Sequence, residues 1–263
     1  MNAGGAGAGL RVHQEAGVAH LVLARPERRN ALNRALADAL ADAIREAGAD
    51  ESVRVIAISA EGQDFCAGAD LAALERLLPE GAEAHRQDAA SLGDVFLALR
   101  AVRKPTVAII RGRALAGGAG LATACDLVIA HELAQFGYPE VRIGFVPAMV
   151  MTMLRRAVGE KRAFDLVGTG RTVDAREAER IGLVSRVIED ASFDAEVSQI
   201  LESLSRTPPG AMAFTKSLLY ELDDMPFSAG IERGIQTNVE ARMTDEFRDG
   251  VNRFLRRSRR SDS

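Results

Sequence analysis

Residues 111–140 read RGRALAGGAGLATACDLVIAHELAQFGYPE. A glycine cluster, Gly117, Gly118 and Gly120, meets an alanine-rich apolar run that reads as a helix, and Glu140 follows twenty positions after Gly120. Glycine lets the backbone turn tightly and lets a ligand approach the main chain with no Cβ in the way. A helix that begins there presents unpaired N–H groups and the positive end of its dipole to whatever binds. Such a place suits an oxygen that gains negative charge during a reaction.

Working outward, residues 105–110 (PTVAII) form a strand that feeds the glycine cluster, and residues 127–130 read as a short buried strand after its helix. Upstream, residues 18–24 (VAHLVLA) and 53–60 (VRVIAISA) are two further strands. His20, on one face with Val18 and Val22, reads as a satisfied sheet histidine. Between them residues 35–47 place Leu36, Leu40 and Ile44 on one side of a helix. The polar stretch 80–87 reads as a loop or a mobile lid. Beyond residue 150 helices dominate, at 151–158, 160–167, 175–181, 195–204 and 211–222, with one strand expected at 183–187. The pattern is β/α alternation first and helices last, the mark of an α/β protein, with no linker or fixed repeat. Ile231, Ile235, Val239, Met243, Phe247 and Val251 recur every fourth residue. That row drifts by about 40° per step on an α-helix, so a break is expected, with Thr244, Asp245 and Glu246 opening a second helix. The apolar content of these helices fits packing on a partner subunit or, equally, on the chain's own core.

The 263 residues suffice for one large core, and 47% hydrophobic with 27% charged residues is an ordinary globular balance. A formal net charge of −4 argues against a general nucleic-acid binder. The exception is the end of the chain, where Arg253, Arg256, Arg257, Arg259 and Arg260 crowd together, as a solvated tail or a contact for a phosphate-bearing ligand. Two cysteines, Cys66 and Cys125, form neither a disulfide framework nor a metal-ligand spacing, so no metal is expected and a cytoplasmic setting is. Both read as small core residues. No apolar run approaches a transmembrane length and no secretory signal is read at the start. The Gly/Ala-rich residues 1–9 are expected to be a disordered leader; no strand precedes them, so they are not a dinucleotide loop. A serine hydrolase is disfavoured because no G-x-S-x-G elbow occurs. A P-loop is disfavoured because Gly112 and Gly117 are followed by Gly118-Ala119 and not by Lys-Ser/Thr.

Two segments offer main-chain donors beside small residues: Ala67-Gly68-Ala69-Asp70 and Ala116-Gly117-Gly118. Either alone also fits mere close packing. Together, FCAGADL, RGRALAGGAGLATACDLVIA and AQFGYPEVRIGFVP, in this order, resemble the crotonase (enoyl-CoA hydratase/isomerase) superfamily. The entry run Arg25-Pro26-Glu27-Arg28-Arg29-Asn30-Ala31-Leu32-Asn33 and the later Gly168-Thr169-Gly170-Arg171, Ala175-Arg176-Glu177-Ala178 and Gly182-Leu183-Val184 extend the likeness over residues 10–258. The resemblance implies an α/β fold: a crotonase-like ββα spiral core over residues 10–200 and a C-terminal helical oligomerisation region over 201–263. It also implies a homotrimer or dimer of trimers and an acyl-CoA thioester substrate, with coenzyme A part of the substrate and no separate cofactor. Matched position by position, the N–H groups of Ala69 and Gly117, with Gly118 beside them, would hold the thioester oxygen. Glu140 would be the catalytic acid–base. Arg28, Ala31 and Ala67 would lie near the nucleotide end of CoA, Asp70 and Leu71 along the pantetheine–acyl path, and Phe254 would cover CoA from a neighbouring subunit.

The chain departs from that pattern at two places. Hydratases of the family usually carry a second glutamate in the helix after the glycines, and Gly120 stands there. Val146-Pro147-Ala148-Met149-Val150 replaces a glycine-rich turn, leaving the Ala148 N–H as a candidate donor and making the acyl pocket more apolar. The run EVRIGFVPA looks like a hydratase subgroup that also has glycine at the first position. The resemblance thus implies water addition to a 2-enoyl-CoA. The alternatives are double-bond isomerisation by Glu140 alone and, from another class, a non-catalytic CoA-binding or nucleic-acid-binding protein.

Overall fold

The computed structural model describes residues 8–261. Most of the expected leader lies outside the described residues; Ala8 and Gly9 form the turn into the first strand, where the Gly9 carbonyl accepts from the Ala24 N–H at 2.8 Å. The chain divides into two compact units, Met1–Ser205 and Arg206–Ser263.

In the first unit, six strands form one sheet in the order β1 (Leu10–Glu15), β2 (Val18–Leu23), β3 (Val55–Ala60), β4 (Thr106–Ile110), β6 (Leu127–His131) and β9 (Arg186–Ile188). Only the β1–β2 edge is antiparallel. Parallel neighbours need crossover connections, and these supply α1 (Arg34–Ala49), α2 (Leu71–Leu77), α3 (Ala82–Ala101) and α4 (Gly117–Ala124). Both faces of the sheet are covered, which is why β3 is apolar at successive positions and does not alternate. Ile56, Ile58, Ala108 and Ile110 belong to one core cluster with Leu36, Leu40 and Ile44 of α1 and Val95 and Leu99 of α3. Val55, Ala57 and Val107 belong to the other, with Phe193, Val197 and Leu201 of α8 (Phe193–Ser205). Asn33 caps α1 by accepting from the Leu36 N–H at 2.9 Å.

A second sheet of three short strands carries the site: β5 (Arg113–Leu115), β7 (Gln135–Gly137) and β8 (Thr172–Asp174). Single bridges extend it on the other side of β5, pairing Cys66 with Ala114 and Ala69 with Leu32. Then come α5 (Val150–Val158), α6 (Glu160–Thr169) and α7 (Ala175–Arg180).

Three readings of the sequence are corrected. Residues 80–87 are not a loop: from Ala82 they are the first turns of α3, exposed because that helix is buried only from Ser91 onward. The strand expected at 183–187 runs from Arg186 to Ile188, and β1, β5, β7 and β8 were not expected at all. The fourfold apolar row does break as expected: α10 (Phe227–Arg242) ends, and Thr244 caps α11 (Asp245–Ser261) by accepting from the Phe247 N–H at 3.2 Å. Within this second unit Glu246 accepts from the Gly210 and Ala211 N–H groups at the start of α9 (Pro209–Glu221), at 3.2 and 2.9 Å. The apolar row itself is exposed on this chain. The side chains of Arg257, Arg259 and Arg260 lie outside the described residues. Among the described residues no helix is long and apolar enough to cross a membrane.

Candidate active site

The register of the small sheet brings the sequence motifs together. Leu115 pairs with Gly137 in parallel, so the two strands end side by side, one leading into Gly117 and the other into Glu140. The Ala116 N–H donates to the Gly137 carbonyl at 2.8 Å and locks this junction. Ala116 itself holds φ 51°, a positive value that costs a non-glycine residue free energy and marks a sharp entry into α4. On the opposite flank Gly68, at φ 98°, lies so close that an added Cβ would stand 2.7 Å from the Ala116 Cβ and 3.5 Å from the Gly117 nitrogen. Glycine is therefore required at 68 both for conformation and for contact.

The two candidate donors follow from the backbone. Around the Leu32–Ala69 bridge, the Leu32 N–H donates to the Gly68 carbonyl at 2.7 Å and the Asp70 N–H to the Leu32 carbonyl at 2.8 Å. Alternation along an extended chain then turns the Ala69 N–H away from Leu32. Gly117 is the first residue of α4, whose first intrahelical bond runs from the Gly120 N–H to the Ala116 carbonyl at 2.9 Å, so the Gly117 and Gly118 N–H groups have no acceptor within the helix. Gly118 packs against Cys66, whose backbone carbonyl and Sγ would both be struck by a Cβ there.

Glu140 sits in a 3-10 turn, Pro139–Ile143, directly after β7. It is 8% exposed, and its Oε2 is buried with no hydrogen-bond partner. Burial raises its pKa from the ordinary 4.5, partly offset by its own backbone N–H. A buried carboxyl left unsatisfied in this way is costly to folding and is the kind of group that function retains. Gly120 contrasts with it. A Cβ at that position would lie 2.5 Å from Val150 Cγ2 and 3.2 Å from Phe96 Cζ, so apolar side chains fill the space a second acid would need.

The remaining expected residues separate into groups. Arg28 is exposed in the short turn Pro26–Arg28, and Ala31 is buried three residues on. Ala67 donates its N–H to the Arg29 carbonyl at 3.0 Å, which joins the 25–33 loop to the Ala69 segment. Leu71 is exposed at the start of α2. Asp70 is buried and committed: it caps α2 through the Ala72 and Ala73 N–H groups and pairs with Arg25 Nη2 at 3.0 Å. Burial works against its charge, but the Arg25 bond and the two capping N–H groups prevail and hold its pKa below 3.8. The Ala148 N–H is likewise occupied, donating to the Val146 carbonyl at 2.8 Å. Phe254 lies on α11 in the second unit, exposed and lining a groove of about 370 Å³ with Phe214, Phe247 and Val251.

Sequence reasoning missed the part played by Arg25 and Asn30. Arg25 Nη1 also donates to the Ala31 carbonyl at 2.6 Å. Asn30 is fully buried at φ 54°; its side chain accepts from the Arg25 N–H and donates to the Glu61 and Asp64 carbonyls, each at 2.8 Å. The signal was the polar run between strand and helix, which offers Asn30, a residue that tolerates positive φ.

A parallel-rich core carrying a glycine-opened helix beside a buried carboxylate, with a helical unit after it, defines a protein of the crotonase fold. A family model described as enoyl-CoA hydratase/isomerase matches residues 13–261, and the chain belongs to that family. A Thermus thermophilus protein named "Putative enoyl-CoA hydratase" is 42% identical over 238 residues, covering 90% of this chain and 94% of that protein. The 2,3-dehydroadipyl-CoA hydratase of Escherichia coli is 32% identical over 253 residues, covering 94% of this chain and 96% of that protein. The crystal structure of an enoyl-CoA hydratase from Mycobacterium smegmatis superposes with a TM-score of 0.90 at 31% identity, covering 95% of this chain and 96% of the other.

Proposed function

We propose that the protein is an enoyl-CoA hydratase-type lyase that adds water to a 2-enoyl-CoA thioester. The observation that carries this reading is the buried Glu140 carboxylate, its Oε2 without a hydrogen-bond partner, on the strand end paired with the one that leads into α4, whose start leaves the Gly117 N–H free of any helical acceptor. In the proposed reaction Glu140 takes a proton from water as the water oxygen bonds to the β-carbon. The double-bond electrons move onto the thioester oxygen, which the Ala69 and Gly117 N–H groups hold as it becomes an enolate. When the enolate collapses, the α-carbon takes the proton from Glu140. The raised pKa of Glu140 suits both halves of this cycle, because it brings the acid and base forms closer to neutral pH. Each amide donor is worth roughly 3–4 kcal/mol to such a transition state. The hydratase names of the relatives support the same direction.

One observation favours a second reading. With Val150 and Phe96 packed at Gly120, that position supplies no second carboxylate, and moving a double bond from the 3,4 to the 2,3 position needs only one. Glu140 would remove a proton from the α-carbon and return it at the γ-carbon. Crotonyl-CoA and a 3-enoyl-CoA separate the two: hydration abolishes the conjugated-thioester absorbance, and isomerisation creates it. Turnover of crotonyl-CoA, lost in Glu140→Gln, is the expected result; no turnover of either substrate overturns both readings.

A further inference from the structure

Tyr138 lies two residues before Glu140 and is fully buried. Its phenol reaches Thr123 Oγ1 on α4, at 2.9 Å. Thr123 Oγ1 already donates its single proton to the Ala119 carbonyl at 2.7 Å. Tyr138 must therefore be the donor in the pair, giving a directed chain from Tyr138 Oη to Thr123 Oγ1 to the Ala119 carbonyl. Burial pushes the phenol well above its ordinary pKa of 10.0, so it keeps its proton and remains a donor at any working pH.

This chain spans the two halves of the site. Ala119 and Thr123 belong to α4, whose first residue is Gly117, while Tyr138 belongs to the turn that presents Glu140. The β5–β7 ladder, ending in the backbone bond from the Ala116 N–H to the Gly137 carbonyl, also ties these halves. That bond acts one residue before Tyr138, and beyond it the turn also packs on α6, where Pro139 and Arg142 lie against Gly170. The Tyr138–Thr123 bond, made about two helical turns further along α4, adds a side-chain tie between α4 and the residue that opens the Glu140 turn. Resting on the reading of Glu140 as the acid–base, we propose that Tyr138 and Thr123 are a positioning pair: their hydrogen bond fixes the Glu140 carboxylate relative to the Gly117 N–H.

A small misplacement of a catalytic group costs on the order of 10- to 100-fold in rate. Tyr138→Phe keeps the ring and removes only the donor; Thr123→Val removes the acceptor; Thr123→Ser keeps it. The experiment measures kcat, KM and melting temperature for these variants, the Tyr138→Phe/Thr123→Val double variant and Glu140→Gln, with whichever enoyl-CoA the parent turns over. The expected result is kcat lowered about tenfold or more in both single variants with KM unchanged, no further loss in the double variant, and recovery in Thr123→Ser. Parental kcat in Tyr138→Phe or Thr123→Val overturns the proposal, as does a fall in melting temperature alone or a double loss equal to the product of the singles. Undiminished turnover in Glu140→Gln instead removes the acid–base reading beneath it, a distinct outcome. Should Tyr138→Phe fail to fold, Thr123→Val against Thr123→Ser decides the question by the same kcat and KM criteria.

Discussion

Glu140 and Gly120 stand on two elements joined at their roots and show opposite treatments of one problem. At Glu140 the chain buries an acid and leaves one oxygen without a partner. At Gly120 it has no side chain, and Val150 and Phe96 press in from α5 and α3. Two carboxylates buried side by side repel and one stays protonated. A single buried acid avoids that repulsion and would keep the proposed proton transfers on one group. The comparison teaches that the chain keeps a buried acid at Glu140 and leaves no room for a side chain at Gly120, which concentrates the proposed chemistry on one group. Its hardest test is Glu140→Gln, which preserves shape and removes the titrating group. We expect kcat to fall by roughly 100- to 10,000-fold with little change in KM. A parental kcat would break the comparison at its stronger end.

The other end is tested by filling the vacancy at 120. Gly120 lies inside α4 with ordinary helical geometry, so Gly120→Ala should by helix propensity add about 1 kcal/mol of stability. Against this stands the contact with Val150, and overpacking a core costs about 1–3 kcal/mol. The clash should win, giving net destabilisation in urea unfolding, and Val150→Ala in the same chain should reverse it. A Gly120→Ala variant as stable as the parent would show that the wall yields easily and that Gly120 does not exclude a larger residue.

The sequence disclosed these two positions unequally. Gly117, Gly118 and Glu140 were legible because glycine clusters and a lone acid after Phe-Gly-Tyr-Pro carry their chemistry in residue type. The contact of Val150 with Gly120 joins residues thirty positions apart, and no local pattern announces it. The buried parallel strands were read from continuous apolar runs. β1 escaped because its residues LRVHQE lie on an exposed edge, where His13 stacks on His20 and needs no apolar neighbour. β8 has three residues, below any usable period. The family resemblance placed Asp70 along the pantetheine–acyl path; its place before α2 also fits a helix cap, and the approach of Arg25, forty-five positions away, is a contact no local pattern announces.

That commitment gives a smaller effect beside the same donor. Asp70→Ala loses the α2 cap, worth about 0.5–2 kcal/mol, and strips Arg25 of its carboxylate partner. Because Asp70 also donates its N–H to the Leu32 carbonyl, next to Ala69, the variant should lower urea stability first and kcat only modestly. Asp70→Asn, which keeps a capping oxygen, should recover part of the stability. A large fall in kcat with unchanged stability would show instead that Asp70 meets the substrate.

The smallest effect is a matter of sign. Asp70 has its pKa held below 3.8, so the stability it contributes is present above that value and is lost as pH falls through its lower folded pKa. Glu140 has its pKa raised above 4.5 by burial. The native state therefore holds its proton where the unfolded chain has released it, and stability falls as pH rises from 4.5 through the folded pKa. Glu140→Gln removes that loss. It should melt higher than the parent at pH 8, and the advantage should shrink on acidification and disappear below 4.5. Asp70→Asn should behave oppositely, melting below the parent at pH 8 and converging with it only in strong acid. Melting temperatures of the three proteins across pH 3–8 test both slopes at once. If Glu140→Gln gains nothing at pH 8, its carboxylate is satisfied by solvent, and the contrast between a strained acid and an apolar neighbour loses its thermodynamic basis.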